Sequence, residues 1–207
     1  MGNLRYAIAL TGAMGSGKST LAHLLKLRGY EVLCADSLSH RILQECTKEI
    51  VELFGNGILE QTSLRIDRKK LGALVFSDKE ALKSLESILH PRIRLRMLEQ
   101  ARELEKKCVP YFLDIPLFFE VGGRASYPVA FVLVVYASRE VCLHRVKSRD
   151  CLSESCINAR LDSQLDIEQK REMADFVIDN SLGVERLQEE LEYFLQKLEA
   201  KLEGRVC

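Results

Sequence analysis

The residues most plainly suited to chemistry lie near the start of the chain. Gly12-Ala-Met-Gly15-Ser-Gly17-Lys18-Ser19 fits the pattern G-x-x-x-x-G-K-[ST], directly after a strand-like run and directly before a helical one. Glycines let the backbone turn tightly, so that successive N–H groups point inward and form a concavity for phosphate oxygens. The helix that follows adds the positive end of its dipole. In such a loop Lys18 reaches the β- and γ-phosphates of a nucleoside triphosphate, and the Ser19 hydroxyl ligates Mg²⁺. The expected binding stretch is Gly12, Ala13, Met14, Gly15, Ser16, Gly17, Lys18, Ser19 and Thr20. A chance match in a chain of this length is on the order of one in a hundred. A Gly-rich turn without a ligand is therefore the weaker reading.

What happens to the phosphate depends on residues elsewhere. A GTPase should carry an Asn-Lys-x-Asp guanine-reading motif, and there is none. A motor-type ATPase places a Glu directly after the Asp of its second acidic strand; here the strand ends Leu113-Asp114-Ile115-Pro116. Both absences favour transfer to an acceptor other than water. Asp36 ends the second strand, where a carboxylate can accept the proton of an acceptor hydroxyl. An ordinary Asp, with a pKa of about 3.9, is a weak base toward an alcohol. In a loose transition state, orienting the hydroxyl matters more than basicity. The alternative is that Asp36 caps a helix starting at Ser37. Asp114 is placed either to hold the hydration shell of Mg²⁺ through water or to cap. Arg145, Arg149 and Arg160 offer guanidinium forks for the charge on a transferring phosphoryl group. Arg145 and Arg149 are four residues apart, share a helix face and could reach one ligand together.

Five continuously apolar runs are the candidate strands that position these groups: Tyr6–Thr11, Glu31–Ala35, Tyr111–Ile115, Val129–Tyr136 and Phe176–Ile178. Strands covered on both faces read this way, and helical segments between them indicate βαβ crossovers and a parallel sheet. Two stretches exceed a minimal crossover. In the first, about 37–107, Ser77-Asp-Lys-Glu80 suits a capping box for a helix toward Leu89, and Pro91 suits the first turn of another ending near Lys107. The second, about 145–172, is rich in Arg, Glu and Gln with few large apolar residues. It suits a mobile lid or a plain solvated helix pair, and has little to build a core from. Val184, Leu187, Leu191, Phe194 and Leu198 recur at three- and four-residue intervals, the signature of an amphipathic helix packing back on the sheet.

The 207 residues suffice for one α/β domain with insertions. Thirty basic and thirty acidic side chains balance, so no nucleic-acid or membrane partner is expected from net charge. The seven cysteines are scattered and never form C-x-x-C, so neither a disulfide framework nor a zinc site is expected. With no leader segment and no apolar run long enough for a bilayer, the expected location is the cytoplasm.

Several of these segments in one order resemble dephospho-CoA kinase, the family that phosphorylates the ribose 3′-hydroxyl of dephospho-coenzyme A. The likeness rests on Leu10 to Thr20; Cys34-Ala-Asp36; His90-Pro-Arg-Ile-Arg94; Asp114-Ile-Pro-Leu-Phe-Phe-Glu120; Arg145-x-x-x-Arg149-Asp150; Arg160-x-x-x-Gln164; and Ala174-Asp-Phe-Val-Ile-Asp-Asn180. It implies a P-loop NTPase, nucleoside-monophosphate-kinase-like α/β fold: three α/β/α layers, a five-stranded parallel sheet in the order 2-3-1-4-5, an inserted helical acceptor domain and a lid. It implies a single such domain, with a core of about 1–36, 108–144 and 173–207, a helical insertion of about 37–107 and a lid of about 145–172.

ATP and Mg²⁺ are the implied cofactors and dephospho-CoA the partner, in a monomer or weak homo-oligomer. Asp36, Lys18, Arg145 and Arg149 are the implied catalytic residues, with Asp36, His90, Arg94, Asp114 and Glu120 on the acceptor. Arg160 joins the P-loop on the nucleotide, and Asn180 edges the adenine pocket. Two departures stand out: Cys34 replaces the first Asp of an Asp-Ala-Asp element, and Ala13-Met14 replaces the commoner Gly-Ile. Cys151 stands where the family often has Gly, and reads as a surface variation. A nucleoside or nucleoside-monophosphate kinase and a nucleotide-binding regulatory module remain the alternatives.

Overall fold

The computed structural model describes residues 3–150 and 153–202; Cys151 lies outside them. The elements run β1 (Leu4–Gly12), α1 (Lys18–Leu27), β2 (Val32–Cys34), α2 (Ala35–Glu45), α3 (Thr47–Phe54), a 3₁₀ turn (Asn56–Ile58), α4 (Arg68–Ser77) and α5 (Lys79–Glu105). They continue with β3 (Tyr111–Asp114), α6 (Gly123–Ser126), β4 (Val129–Tyr136), α7 (Arg139–Asp150), α8 (Glu154–Asp162), α9 (Ile167–Glu172), β5 (Phe176–Asp179) and α10 (Val184–Leu202). These divide into two compact units, one of the residues up to Cys34 and from Gln100 onward, the other of Ala35–Glu99.

The first unit holds one all-parallel sheet in the order β2-β3-β1-β4-β5. All five apolar runs became strands, and the order is the one the resemblance implied. Helices α1 and α10 cover one face, where Leu21, Leu25, Leu187, Leu191, Phe194 and Leu198 pack with Ile8, Leu10, Phe112, Leu133 and Ile178. Four of the five predicted stripe positions of α10 are thus buried against the sheet, and the side chain of the fifth, Val184, lies outside the described residues. Period-two alternation sends Ala7, Ala9, Leu113, Val132 and Val134 to the opposite face, and these are fully buried too. Glu105 at the end of α5 ties this unit: its Oε1 accepts from the Arg5 and Tyr6 amides (3.2 Å to Tyr6), and its Oε2 accepts from the Tyr111 hydroxyl at 2.8 Å.

The second unit is helical. Its buried side chains include Leu38, Ile42, Ile50, Ile58, Ile66, Leu71 and Leu85. The Gln44 carboxamide pairs both ways with the backbone of Ile66, at 3.0 and 3.2 Å, and so fixes the turn before α4. Sequence reasoning divided the 79–105 region at Pro91, but α5 is one helix with Pro91 inside it. Proline costs a helix interior about 3 kcal/mol. Against that cost, Leu85, Ile93 and Met97 bury one side, and the Arg92 guanidinium donates to the Ile88 carbonyl at 2.8 Å beside the break. The helix start is also shifted. Asp78 accepts from the Glu80 and Ala81 amides at 2.8 and 3.3 Å, and the Ser77 side chain of the expected capping box lies outside the described residues.

The 145–172 stretch packs better than its composition suggested. Val146, Ile157 and Leu161 form a small cluster with Ala137 and Cys142, and the partly buried Ala13 and Met14 pack on it. Part of the apolar surface that the stretch lacks is supplied by the loop after β1.

Candidate active site

The loop that leaves β1 at Gly12 depends on glycine at two points. Gly15 and Gly17 have φ of 85° and 95°, a region costly to other L-residues. The surroundings add steric reasons. A Cβ on Gly15 would meet the Cys142 carbonyl oxygen at 2.7 Å, and one on Gly17 would meet Asn180 Nδ2 at 2.0 Å. Gly12, at the end of β1, would meet the Val135 carbonyl oxygen at 2.6 Å. Gly17 caps α1 in a left-handed conformation. The first amides of α1 have no intrahelical partners and are free for an anion, as the motif requires.

Lys18 opens α1 and pairs its ammonium with Asp114 Oδ1. Asp114 ends β3, is 5 % exposed and lies in register with Leu10 of β1 on one side and Cys34 of β2 on the other. The residues after it are held to β1: the Ile115 amide donates to the Leu10 carbonyl at 3.0 Å, and the Thr11 hydroxyl to the Pro116 carbonyl at 2.9 Å. Parallel strands make this end of the sheet a meeting point of loops, which is why carboxylate and ammonium arrive together from distant segments.

Asn180, just past β5, closes the loop from the other side. Its Nδ2 donates to the Ser16 carbonyl at 2.7 Å, its amide bonds the Tyr136 carbonyl at 2.8 Å, and its own carbonyl accepts from Arg145 Nη2 at 2.7 Å. Four buried side-chain atoms among the described residues lack a hydrogen-bond partner: Lys170 Nζ, which has an ion pair with Glu120, and three around Asn180, namely Ser16 Oγ, Arg145 Nη1 and Asn180 Oδ1. Buried polar atoms are normally satisfied, so these three mark a place where polar ligand atoms are wanted. Beside them Glu140, Val141, His144, Arg145, Ser181, Leu182 and Gly183 line a cleft of about 360 Å³ between α7 and the turn after β5.

The structure treats Arg145, Arg149 and Arg160 differently. Arg145 is engaged with Asn180. Arg149, on the same helix, folds onto its neighbour Asp150 with contacts of 2.6 and 2.8 Å and is 63 % exposed. That hydrogen bond raises the Arg149 pKa and holds the Asp150 carboxyl below its usual range. Arg160 is exposed on α8, and Ser19 and Thr20 are exposed on the first turn of α1.

Glu120 is drawn into contacts that the sequence did not foretell. Its Oε1 accepts from the Leu165 amide at 2.9 Å and lies 2.7 Å from Nζ of the fully buried Lys170 on α9. Gln164 likewise emerges from the background of a quoted motif: its Oε1 accepts from the Met14 amide at 3.1 Å. Nothing in the Ile-Glu-Gln-Lys-Arg-Glu composition of α9 distinguishes Lys170 from a solvated lysine. Cys142 behind the loop is a buried thiol whose pKa burial pushes up to about 11.

Asp36, His90 and Arg94 belong to the helical unit. Asp36 lies in the first turn of α2, which begins at Ala35 and so includes the carboxylate rather than being capped by it from outside. All three are exposed, and among the described residues none has a side-chain hydrogen bond or ion pair. No group of three or more His, Cys, Asp and Glu suited to a metal occurs among the described residues, and no helix there is long and apolar enough to cross a membrane.

Comparison with known proteins adds the chemistry of relatives. A model of the dephospho-CoA kinase family matches residues 6–186. A dephospho-CoA kinase of Helicobacter pylori is 52% identical over 195 residues, spanning 94% of this chain and 98% of that protein. One from Wolinella succinogenes is 48% identical over 199 residues, with 96% and 97% covered. Among solved structures, the Campylobacter jejuni dephospho-CoA kinase is 36% identical with a TM-score of 0.75, covering 97% of this chain and 99% of its own. A Thermus thermophilus crystal structure is 38% identical with a TM-score of 0.79, covering 93% and 97%.

Proposed function

The chain belongs to the dephospho-CoA kinase family, and from that premise we propose how its residues transfer the γ-phosphoryl group of ATP to the ribose 3′-hydroxyl of dephospho-CoA. The products are CoA and ADP, and the reaction is the last step of coenzyme A biosynthesis. The observation that carries the reading is the Lys18–Asp114 pair at the head of the P-loop. It is an ammonium poised at the phosphate cradle, kept in place by a carboxylate until a phosphate competes for it.

On this reading the loop from Gly12 to Thr20 binds the triphosphate through amides other than that of Met14, which Gln164 takes, and Lys18 moves from Asp114 to the β- and γ-phosphates. The 360 Å³ cleft seats the adenine, with Val141 and Leu182 as apolar walls and the Ser181–Gly183 backbone at its edge. Arg145, whose Nη1 is buried and unbonded, takes a phosphate oxygen, with Arg149 and Arg160 joining when the 145–172 lid closes. Closure keeps water from the γ-phosphate. Asp36 orients the acceptor hydroxyl and takes its proton; His90, Arg94 and the rest of the Ala35–Glu99 unit hold the remainder of the acceptor. Glu120 acts on the acceptor only indirectly, because its Oε1 is already committed to Leu165 and Lys170.

The oxygen donors Ser19 and Asp114 fit Mg²⁺, which prefers carboxylate, hydroxyl and water oxygens to nitrogen or sulfur. Bound there with ATP, it would neutralise charge on the β- and γ-phosphates. The protein is proposed to act in the cytoplasm as a monomer or weak homo-oligomer, without nucleic acid. A coupled ADP-release assay across dephospho-CoA, adenosine and AMP tests the acceptor. A clear preference for dephospho-CoA is expected, and equal or better use of AMP or adenosine would overturn the assignment.

A further inference from the structure

We infer that Gln164 is a positioning residue for the transfer, acting through the Met14 amide as one end of a clasp that joins the second half of the 145–172 stretch to both the P-loop and the segment after β3. The inference rests on the kinase reading above for its effect on rate, but its structural half stands alone. Gln164 follows Ser163, the C-cap of α8, and its own amide donates to the Leu161 carbonyl at 3.1 Å, so the side chain leaves the helix end from a fixed place. Its Oε1 accepts the Met14 N–H at 3.1 Å. The side chains of Ala13 and Met14 rest on the Cys142, Val146, Ile157 and Leu161 cluster, so the first half of the P-loop has both an apolar and a polar tie to the lid helices.

The other end of the clasp lies one to six residues further on. The Leu165 amide and the buried Lys170 ammonium converge on the same oxygen of Glu120, at 2.9 and 2.7 Å. Asp166 between them caps α9 by accepting from the Glu168 amide at 2.8 Å, which fixes the backbone between the two contacts. Glu120 lies six residues after Asp114, the partner of Lys18. One short segment, 164–170, thus holds the phosphate-binding loop with its first residue and the Asp114–Glu120 segment with its next ones. A lysine buried with a single carboxylate partner is costly unless that partner stays in place, so the Glu120 end resists displacement.

The residue type at 164 has a chemical reason. The Met14 amide needs an acceptor, and the acceptor must sit next to a triphosphate. A carboxamide supplies the oxygen without a negative charge, whereas a carboxylate would supply the oxygen and repel the phosphates. Loop amides aimed at a transferring phosphoryl group act mainly in the transition state, where small misplacements are felt as rate. Loss of the Gln164 tie should therefore lower kcat more than it weakens ATP binding.

The test compares Gln164→Leu, which removes the acceptor at similar size, with Gln164→Glu, which keeps it and adds charge. Four quantities are measured: Met14 amide exchange in protein without nucleotide or acceptor, the melting temperature, and kcat and KM for ATP with dephospho-CoA. For Gln164→Leu the expected result is Met14 exchange faster by about tenfold and kcat lower by about tenfold, or about 1.4 kcal/mol. Its melting temperature should fall by roughly 1–6 °C, the loss of one hydrogen bond and too little to unfold it at the assay temperature, and its KM should alter less than its kcat. Gln164→Glu should restore Met14 protection and most of kcat while raising KM for ATP. Unchanged Met14 exchange in Gln164→Leu would overturn the clasp. A kcat loss that tracks lost melting temperature, or equal kcat losses in both variants, would overturn the positioning role. If the wild type transfers nothing to dephospho-CoA, the kinase reading fails, and Met14 exchange still decides the clasp.

Discussion

Replacing Gly17 with alanine should destabilise the nucleotide-free protein through two separable causes. The backbone there has φ of 95°, and holding alanine in that region costs about 1–2 kcal/mol. The added Cβ would also lie 2.0 Å from Asn180 Nδ2, which has to leave its 2.7 Å bond to the Ser16 carbonyl. That bond contributes about 0.5–1.5 kcal/mol. The sum is about 1.5–3.5 kcal/mol, and for a chain of this size each kcal/mol lowers the melting temperature by roughly 2–4 °C. Scanning calorimetry of Gly17→Ala should thus show a drop of roughly 3–14 °C. The decisive comparison is the same substitution in an Asn180→Ala background, where the collision is gone and only the backbone cost of about 1–2 kcal/mol remains. A coupling of about 1 kcal/mol is expected between the two sites. Additive losses would refute the steric link between Asn180 and the loop, and an unchanged melting temperature would refute both causes.

Three further outcomes follow from the same geometry. Asp36→Asn should lose on the order of 10²–10⁴ in kcat with ATP binding largely kept, read by steady-state kinetics beside ATP titration; near-normal turnover would remove Asp36 from catalysis. Lys18→Ala should cost on the order of 10²–10³ in kcat/KM for ATP, and unchanged kinetics would count against the phosphate cradle. Tyr111 is buried and hydrogen-bonded to Glu105, and both effects push its phenol well above the ordinary value. Above about pH 10 the unfolded chain sheds a proton that the folded protein keeps, so stability is full below that pH and falls above it by up to about 1.4 kcal/mol per unit. Denaturant midpoints against pH should show a shallower alkaline fall for Tyr111→Phe, and identical slopes would contradict this.

The donor loop and the sheet were legible because they rest on local chemistry. The glycines of the P-loop are needed where φ is positive, and runs such as Val129–Tyr136 are continuously apolar because both faces of β4 are covered. The strand order came from resemblance, since periodicity says nothing about which strands are neighbours. The helix at Pro91 was misread because a local rule lost to tertiary burial of Leu85, Ile93 and Met97. Lys170 was invisible for the opposite reason: its burial against Glu120 depends on a partner fifty residues away, and the residues around it, Glu168, Gln169, Arg171 and Glu172, are polar or charged. The helix-face argument put Arg145 and Arg149 together, yet Arg149 pairs with its neighbour Asp150 while Arg145 donates to the Asn180 carbonyl.

The central claim is that the donor loop serves a ribose hydroxyl. Its most direct test is the product formed from ATP, Mg²⁺ and dephospho-CoA. Mass spectrometry and phosphorus NMR should find CoA carrying a new 3′-phosphate, formed one for one with ADP. ADP released without CoA, or phosphate found on another position, would contradict the account.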